Sequence, residues 1–152
     1  GAIGDLEDGP EQMPLRPETV EQGVLDLLPA QHFNLVITHH PRGEYTRHRR
    51  HEEVSRAVIT LWRQGKILSD RLWTFAYEDG GKAYLPRAAR EASIYQVLER
   101  EIWQEKYALI TGVYGFKEDS WEAATTPLAE AFQAFTDPDN AFRWLNRLSA
   151  GL

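Results

Sequence analysis

The sequence contains no cysteine, and its 152 residues include a single methionine, Met13. Without cysteine the chain forms no disulfide, offers no thiolate to a metal and carries no thiol nucleophile. The absence fits a cytoplasmic protein, because disulfides are rare in that compartment. The length and a hydrophobic content of 42% fit a single globular domain spanning residues 1–152.

Positive charge is also scarce, since 17 Lys and Arg face 23 Asp and Glu, for a formal net charge of −6. This balance argues against a general nucleic-acid binder or a protein that coats a membrane surface. No apolar run approaches the roughly 18 residues of a membrane span, and no signal peptide is visible. We therefore expect no nucleic-acid partner and no membrane association.

A buried strand followed by a helix is predicted near the middle of the first half. Residues 33–38 form a short apolar run in which Leu35, Val36 and Ile37 do not alternate with polar residues. Such a pattern is typical of a parallel strand that is buried on both faces. After a short loop, apolar residues at helical spacing predict a helix over 46–64.

Further elements are predicted from helical spacing and from turn signals. Proline follows both Thr126 and Asp137, so each of these residues is expected to cap the start of a helix. The remaining predictions are helices over 17–28 and 88–113 and a hairpin over 71–85 around Asp79-Gly80-Gly81.

One buried strand and one hairpin do not complete a parallel sheet. A strand that is apolar on both faces needs neighbours on both edges and helices on both sides of the sheet. At least two parallel strands are therefore missing from the predicted elements. The sequence also begins with Gly1 rather than Met. We expect the chain to be the C-terminal part of a larger α/β domain.

Four of the five histidines lie within residues 37–53, directly after the predicted strand. His48 and His51 are three residues apart, so on a helix they share one face with about 5–6 Å between their Cβ atoms. His39 and His40 end the strand, where one of them could line the same cleft. Imidazole is a common zinc ligand, and a second histidine can donate a proton or stabilise an oxyanion. The pattern predicts half of a metal site; the alternative is the solvated start of a charged helix.

The loop between the strand and the helix supplies the expected substrate contacts, Arg42, Gly43, Glu44 and Arg47. Loops that follow a buried strand often carry function. Arginine suits a phosphate or a carboxylate on a substrate, and Glu44 could orient a histidine. The alternative for the arginines is a solvated helix face paired with glutamates.

The segment "VITHHPRGEYTRHRRHEEVSRAV", residues 36–58, resembles the C-terminal zinc motif of the PIG-L family (LmbE-like deacetylases). That motif runs strand, T-H, short loop, G-E-Y, and then H-x-x-H opening a helix. A looser similarity covers most of residues 5–135, including "LWTFAYED" and "YALITGVYGFKEDSWEA". The resemblance implies a Rossmann-like three-layer sandwich and a zinc-dependent enzyme that removes acetyl groups from N-acetylglucosaminyl conjugates.

The resemblance also implies roles for individual residues. His51 matches the histidine that ligates zinc, and His48 matches the one that stabilises the tetrahedral intermediate and protonates the leaving amine. Tyr45 matches a tyrosine near the substrate amide. Here Thr46 and Arg47 separate Tyr45 from His48, whereas the commoner motif has a single residue at that point.

The other motif of the family, H-P-D-D, is absent from this chain. It supplies a zinc-ligating histidine and aspartate and the aspartate that acts as general base. "GDLEDGPE", residues 4–11, is acidic but contains no histidine. We therefore expect a zinc-dependent N-acyl amino sugar hydrolase in the complete protein, with this chain alone inactive.

Two alternatives remain open, namely a binding or structural module that kept the fold without the zinc motif, and a basic loop that binds an anionic partner. An exposed sheet edge would favour association with a missing N-terminal portion or with a second copy.

Overall fold

The computed structural model describes residues 1–2, 4–44, 48–81 and 83–150, and it shows a mixed α/β chain, as the sequence predicts. The helices are α1 (Pro17–Leu27), α2 (Arg49–Arg63), α3 (Arg100–Ala108), α4 (Trp121–Ala124) and α5 (Pro138–Ala150), and a π-helical turn, Leu109–Val113, continues α3. The strands are β1 (His32–Phe33), β2 (Val36–Thr38), β3 (Leu68–Ser69), β4 (Leu72–Phe75), β5 (Tyr77–Glu78), β6 (Arg87–Ala88), β7 (Ile94–Val97) and β8 (Ala129–Phe135). The chain divides into two compact units, one of residues 1–43, 47–74 and 134–152 and the other of residues 44–46 and 75–133.

The first unit contains two parallel strand pairs and the helices α1, α2 and α5. Strand β1 pairs with β3, and β2 pairs with β4 in a register that sets Val36 opposite Leu72 and Thr38 opposite Thr74. Helix α2 is amphipathic, so its apolar positions face inward, where Ile59 and Leu61 are fully buried. The core of this unit comprises Val58, Ile59, Leu61, Trp62, Ile67, Leu72, Ala141 and Leu145.

Helices α1, α2 and α5 confirm three predictions within about three residues. Helix α1 starts at Pro17 as predicted, and α2 ends before Gly65, whose φ of 69° favours glycine. The side chain of Asp137 accepts a hydrogen bond from the Asn140 backbone at 2.8 Å, as expected of an N-cap. The predicted start of α2 at Thr46 lies outside the described residues. In the part of the chain that is described, no helix is both long and apolar enough to cross a membrane.

The predicted strand over 33–38 is present as two short pieces, β1 and β2. The expectation that it is buried on both faces was wrong, because Ile37 is 48% exposed. Successive side chains of a strand point to opposite faces, so Val36 packs on the core while Ile37 points away from it. Only one face of β2 is therefore covered by the described residues.

The second unit contains two antiparallel strand pairs. Strand β5 pairs with β6, and β7 pairs with β8 from Ile94 opposite Phe132 to Val97 opposite Ala129. Its core comprises four alanines and one tyrosine, namely Ala76, Ala88, Ala129, Ala131 and Tyr77. The antiparallel pair around Asp79 agrees with the predicted hairpin, although its second strand lies at residues 87–88 rather than within 71–85.

Two predicted helices were wrong in this unit. The helix over 88–113 is replaced by β6, β7 and a shorter helix that begins at Arg100, and the helix from Thr126 is replaced by β8. In β8 buried and partly exposed residues alternate from Ala129 to Phe132, which is the period of a strand. Alanine and glutamate favour helices in isolation, but pairing with a partner 35 or so positions away outweighs that preference.

Candidate metal centre

The loop after β2 is fixed to helix α2 by its backbone. The His39 carbonyl oxygen accepts a hydrogen bond from Ser55 Oγ in α2 at 2.5 Å. A turn follows in which the Gly43 backbone N–H donates to the His40 carbonyl at 3.0 Å, and Gly43 has a φ of 84° that suits glycine. Thr38, directly before the loop, and Ser55, the loop's partner in α2, are both buried. The histidines of the loop therefore have a defined position beside the start of α2.

Three histidine rings are grouped at this point. The rings of His39 and His51 are stacked, with centroids 3.8 Å apart and an interplanar angle of 10°. The His48 ring lies 4.6 Å from the His51 ring at 34°. His51 sits in the first turn of α2 and His48 directly precedes it, so the H-x-x-H spacing brings these two rings together as the sequence suggests.

A set of ligand atoms suitable for a metal ion occurs within this group. The ligand atoms of His39, Glu44 and His51 all lie within 4.8 Å of one another. Two imidazole nitrogens and one carboxylate oxygen are a donor set that zinc accepts, with a fourth position left for water or substrate. The same set also suits Fe²⁺, so the donors by themselves do not select zinc. The residues present therefore fit a divalent transition-metal ion.

His48 is held by the N-terminal segment rather than by this ligand set. Its Nε2 atom lies 3.1 Å from Gln12 Nε2 and 3.6 Å from a carboxylate oxygen of Asp8. Its Nδ1 atom is buried, and within the described residues it has no hydrogen-bond partner. One nitrogen of the ring is thus engaged by residues 8–12, and the other has no hydrogen-bond partner among the residues that the structure describes.

Arg50 is a structural anchor for the segment that reaches His48. Its side chain is 7% exposed, and it forms ion pairs with Glu7 and Glu53. It also donates to the carbonyl oxygens of Glu7 and Met13. Because these partners occupy its donors, Arg50 holds residues 7–13 against the first turn of α2.

Arg42, a predicted substrate contact, reaches the end of helix α5. Its guanidinium donates to the Leu148 carbonyl, and its backbone N–H donates to His40 Nδ1 at 3.1 Å. The loop and the last turn of α5 are joined in this way. Substrate binding by Arg42 stays a prediction.

Gly43 and Glu44, the next two predicted substrate contacts, are both buried, and Glu44 is 9% exposed. Tyr45 and Arg47, the remaining predicted site residues, lie outside the described residues.

The sequence does not identify His39 and Glu44 as metal ligands. It predicts that either His39 or His40 lines the cleft and that Glu44 contacts substrate or orients a histidine. The available signal is their position, directly after β2 for His39 and six residues beyond the end of β2 for Glu44. That position indicates a site but does not reveal which side chains converge.

Comparison with known proteins adds no relative to this picture. No family model, no curated protein and no solved structure matches the chain. The relation to the PIG-L family therefore rests on the motif of residues 36–58, and it stays a prediction.

Proposed function

We propose that the complete protein is a zinc-dependent hydrolase that removes the acyl group from an N-acyl amino sugar conjugate. The observation that carries the proposal is the stacked pair of His39 and His51 next to His48, with the Glu44 carboxylate in reach of the pair. The zinc ligands would be His39, Glu44 and His51. The resemblance to the PIG-L motif supplies the reaction, the substrate class and the expected Rossmann-like sandwich.

The reaction replaces the amide C–N bond of the substrate by a C–O bond from water. The products are a carboxylate and an amine, and the amine nitrogen gains a proton. A zinc ion at this site would supply Lewis-acid polarisation of the amide carbonyl. His48 lies beside the ligands and would donate a hydrogen bond to the oxygen that becomes negative, a type of contact that contributes strongly to catalysis.

The general base is the part of this machinery that the chain lacks. The family takes it from H-P-D-D, which does not occur in this sequence. We assign the base to a part of the complete protein outside this sequence, or to an associated N-terminal portion. This chain alone would then bind zinc without releasing amine.

Metal content tests the ligand assignment directly. We expect the purified chain to keep about one zinc per molecule after dialysis against a weak chelator, measured by mass spectrometry of the metal. His39→Ala, His51→Ala and Glu44→Gln should each lower that content. His32→Ala is the matched control, because His32 is exposed and pairs with Asp70 instead. Absence of zinc from the parent chain, or full retention by His51→Ala, would refute the assignment.

A non-catalytic module is the second candidate, and the missing H-P-D-D motif favours it. Release of amine from an N-acetylglucosaminyl conjugate separates the two candidates. The enzyme hypothesis expects release by the complete protein and loss of release in His48→Ala. Zinc binding without any release by the complete protein would favour the module.

A further inference from the structure

The side chain of Gln12 is fixed between two neighbours at the start of α2. Its Oε1 atom accepts a hydrogen bond from the Arg49 backbone N–H at 3.3 Å, and its Nε2 atom lies 3.1 Å from His48 Nε2. Exchanging the amide oxygen and nitrogen would set an NH₂ group against the Arg49 N–H, which is also a donor. The hydrogen-bond network therefore assigns the orientation of the amide.

This orientation determines where the neutral His48 ring carries its proton. The Gln12 amide nitrogen can only donate, so His48 Nε2 must accept with its lone pair. A neutral imidazole has one N–H, and that N–H must then be at Nδ1. His48 Nδ1 is buried without a hydrogen-bond partner among the described residues, so the ring presents an unused donor.

The backbone at Gln12 is consistent with a functional position. Gln12 has a φ of 44°, and in the described part of the chain it is the one residue other than glycine with a positive φ. Its backbone N–H donates to the Gly9 carbonyl at 2.9 Å, which closes the turn. Left-handed conformations cost free energy for non-glycine residues and concentrate at functional sites. The Arg50 contacts to residues 7 and 13 hold this turn in place.

We propose that Gln12 is a positioning residue that sets the tautomer of His48, so that the neutral ring carries its proton at Nδ1. Donation from this N–H to an amide oxygen rests on the proposed function, and it requires substrate binding to uncover the buried Nδ1 atom. A neutral imidazole N–H can stabilise an oxyanion, and it cannot serve as a base from the same nitrogen. With this tautomer, the Nδ1 atom of His48 acts as a hydrogen-bond donor and not as a general base.

Asp8, in contrast, favours a proton on His48 Nε2. Its carboxylate is 3.6 Å from His48 Nε2, too long for a good hydrogen bond but close enough to attract an N–H at that atom. If Gln12 is removed, the proton of the neutral ring should move from Nδ1 to Nε2, where Asp8 accepts it. Gln12 therefore favours the Nδ1–H tautomer of His48, and Asp8 favours the Nε2–H tautomer.

Long-range ¹H–¹⁵N correlation spectra of the histidine rings test this inference in the metal-free chain at a pH of about 8.5, well above the usual histidine pKa. The spectrum of His48→Ala assigns the signal. We expect the parent chain to show the Nδ1–H pattern for His48. Gln12→Glu keeps the shape of the side chain but only accepts, so it should invert the pattern to Nε2–H, and Gln12→Ala should do the same through Asp8.

Gln22→Ala is the matched control, because the Gln22 amide donates to Asp26 on an exposed helix face, and its spectrum should match the parent. A role limited to anchoring would leave the tautomer of Gln12→Glu unchanged. An Nε2–H pattern in the parent chain, or an unchanged pattern in Gln12→Glu, would overturn the inference. The readout needs neither metal nor activity, so a failed zinc assay leaves it standing, and a failed tautomer result with zinc retained refutes this inference alone.

Discussion

At the scale of single residues, Arg49 and Arg50 show how burial separates two identical neighbours. Arg49 is exposed, and its backbone N–H donates to Gln12 Oε1. Arg50 is 6% exposed and is surrounded by two carboxylates and two carbonyl oxygens. A buried guanidinium is tolerated because these partners compensate its charge and satisfy its donors.

Replacement of Arg50 by methionine should therefore destabilise the chain. The change leaves Glu53 without its ion-pair partner in a largely buried position, and it releases the segment that holds Gln12. We expect a loss of about 3 kcal/mol in the free energy of unfolding, since breaking a buried pair from one side is costly. Urea unfolding followed by tryptophan fluorescence measures this loss.

Arg49→Met is the control for this measurement, because an exposed side chain typically contributes within about 0.5 kcal/mol. Equal stability of the two variants would contradict the anchoring role of Arg50.

At the scale of secondary-structure elements, the start of α5 is specified by residues that are adjacent in the sequence. Asp137 caps the helix, Pro138 occupies its first position, and Asp139 lies in the first turn, where a negative charge is favourable. Apolar residues at helical spacing then bury Ala141 and Leu145 in the core of the first unit. Each signal lies within a few residues of the structure that it specifies.

Removal of this cap gives the element-scale prediction. Asp137→Ala leaves the Asn140 backbone N–H without its side-chain acceptor, so we expect a loss of about 1 kcal/mol in stability. Asp137→Ser supplies another capping oxygen and should recover most of the loss. Thermal unfolding monitored by circular dichroism compares the three chains, and a serine variant no better than alanine would argue against capping.

For strands β7 and β8, the local sequence pattern predicts a helix where the structure has a strand. Each was predicted to be helical, and each is a strand because the other is its partner in the ladder. Glu130 in β8 accepts from Tyr77 and Lys106, which adds further contacts between distant positions. These interactions do not exist within either segment alone, so local preference points the wrong way.

At the scale of the whole molecule, the proposed zinc site joins residues from a loop and a helix. An ion that binds only the folded chain stabilises it by mass action, by about 2.7 kcal/mol when the free ion is at 100 times its dissociation constant. For a chain of this size such a gain raises Tm by roughly 5–10 °C. Zinc should therefore raise the Tm of the parent chain.

The same measurement on variants identifies the ligands. His39→Ala should show little or no rise in Tm with zinc, whereas His32→Ala should rise as the parent does. An equal rise in all three chains would mean that the stabilising ion binds elsewhere.

The sequence by itself determined the α/β class, helices α1, α2 and α5, and the closeness of His48 to His51. Each depends on residues a few positions apart, whose geometry a helix or a cap defines without help from the rest of the chain. The tertiary structure alone decided that β7 and β8 pair, that His39 stacks on His51 and that Gln12 contacts His48. Those contacts join positions between 12 and 38 residues apart, so they form only when packing of the whole chain outweighs local preference.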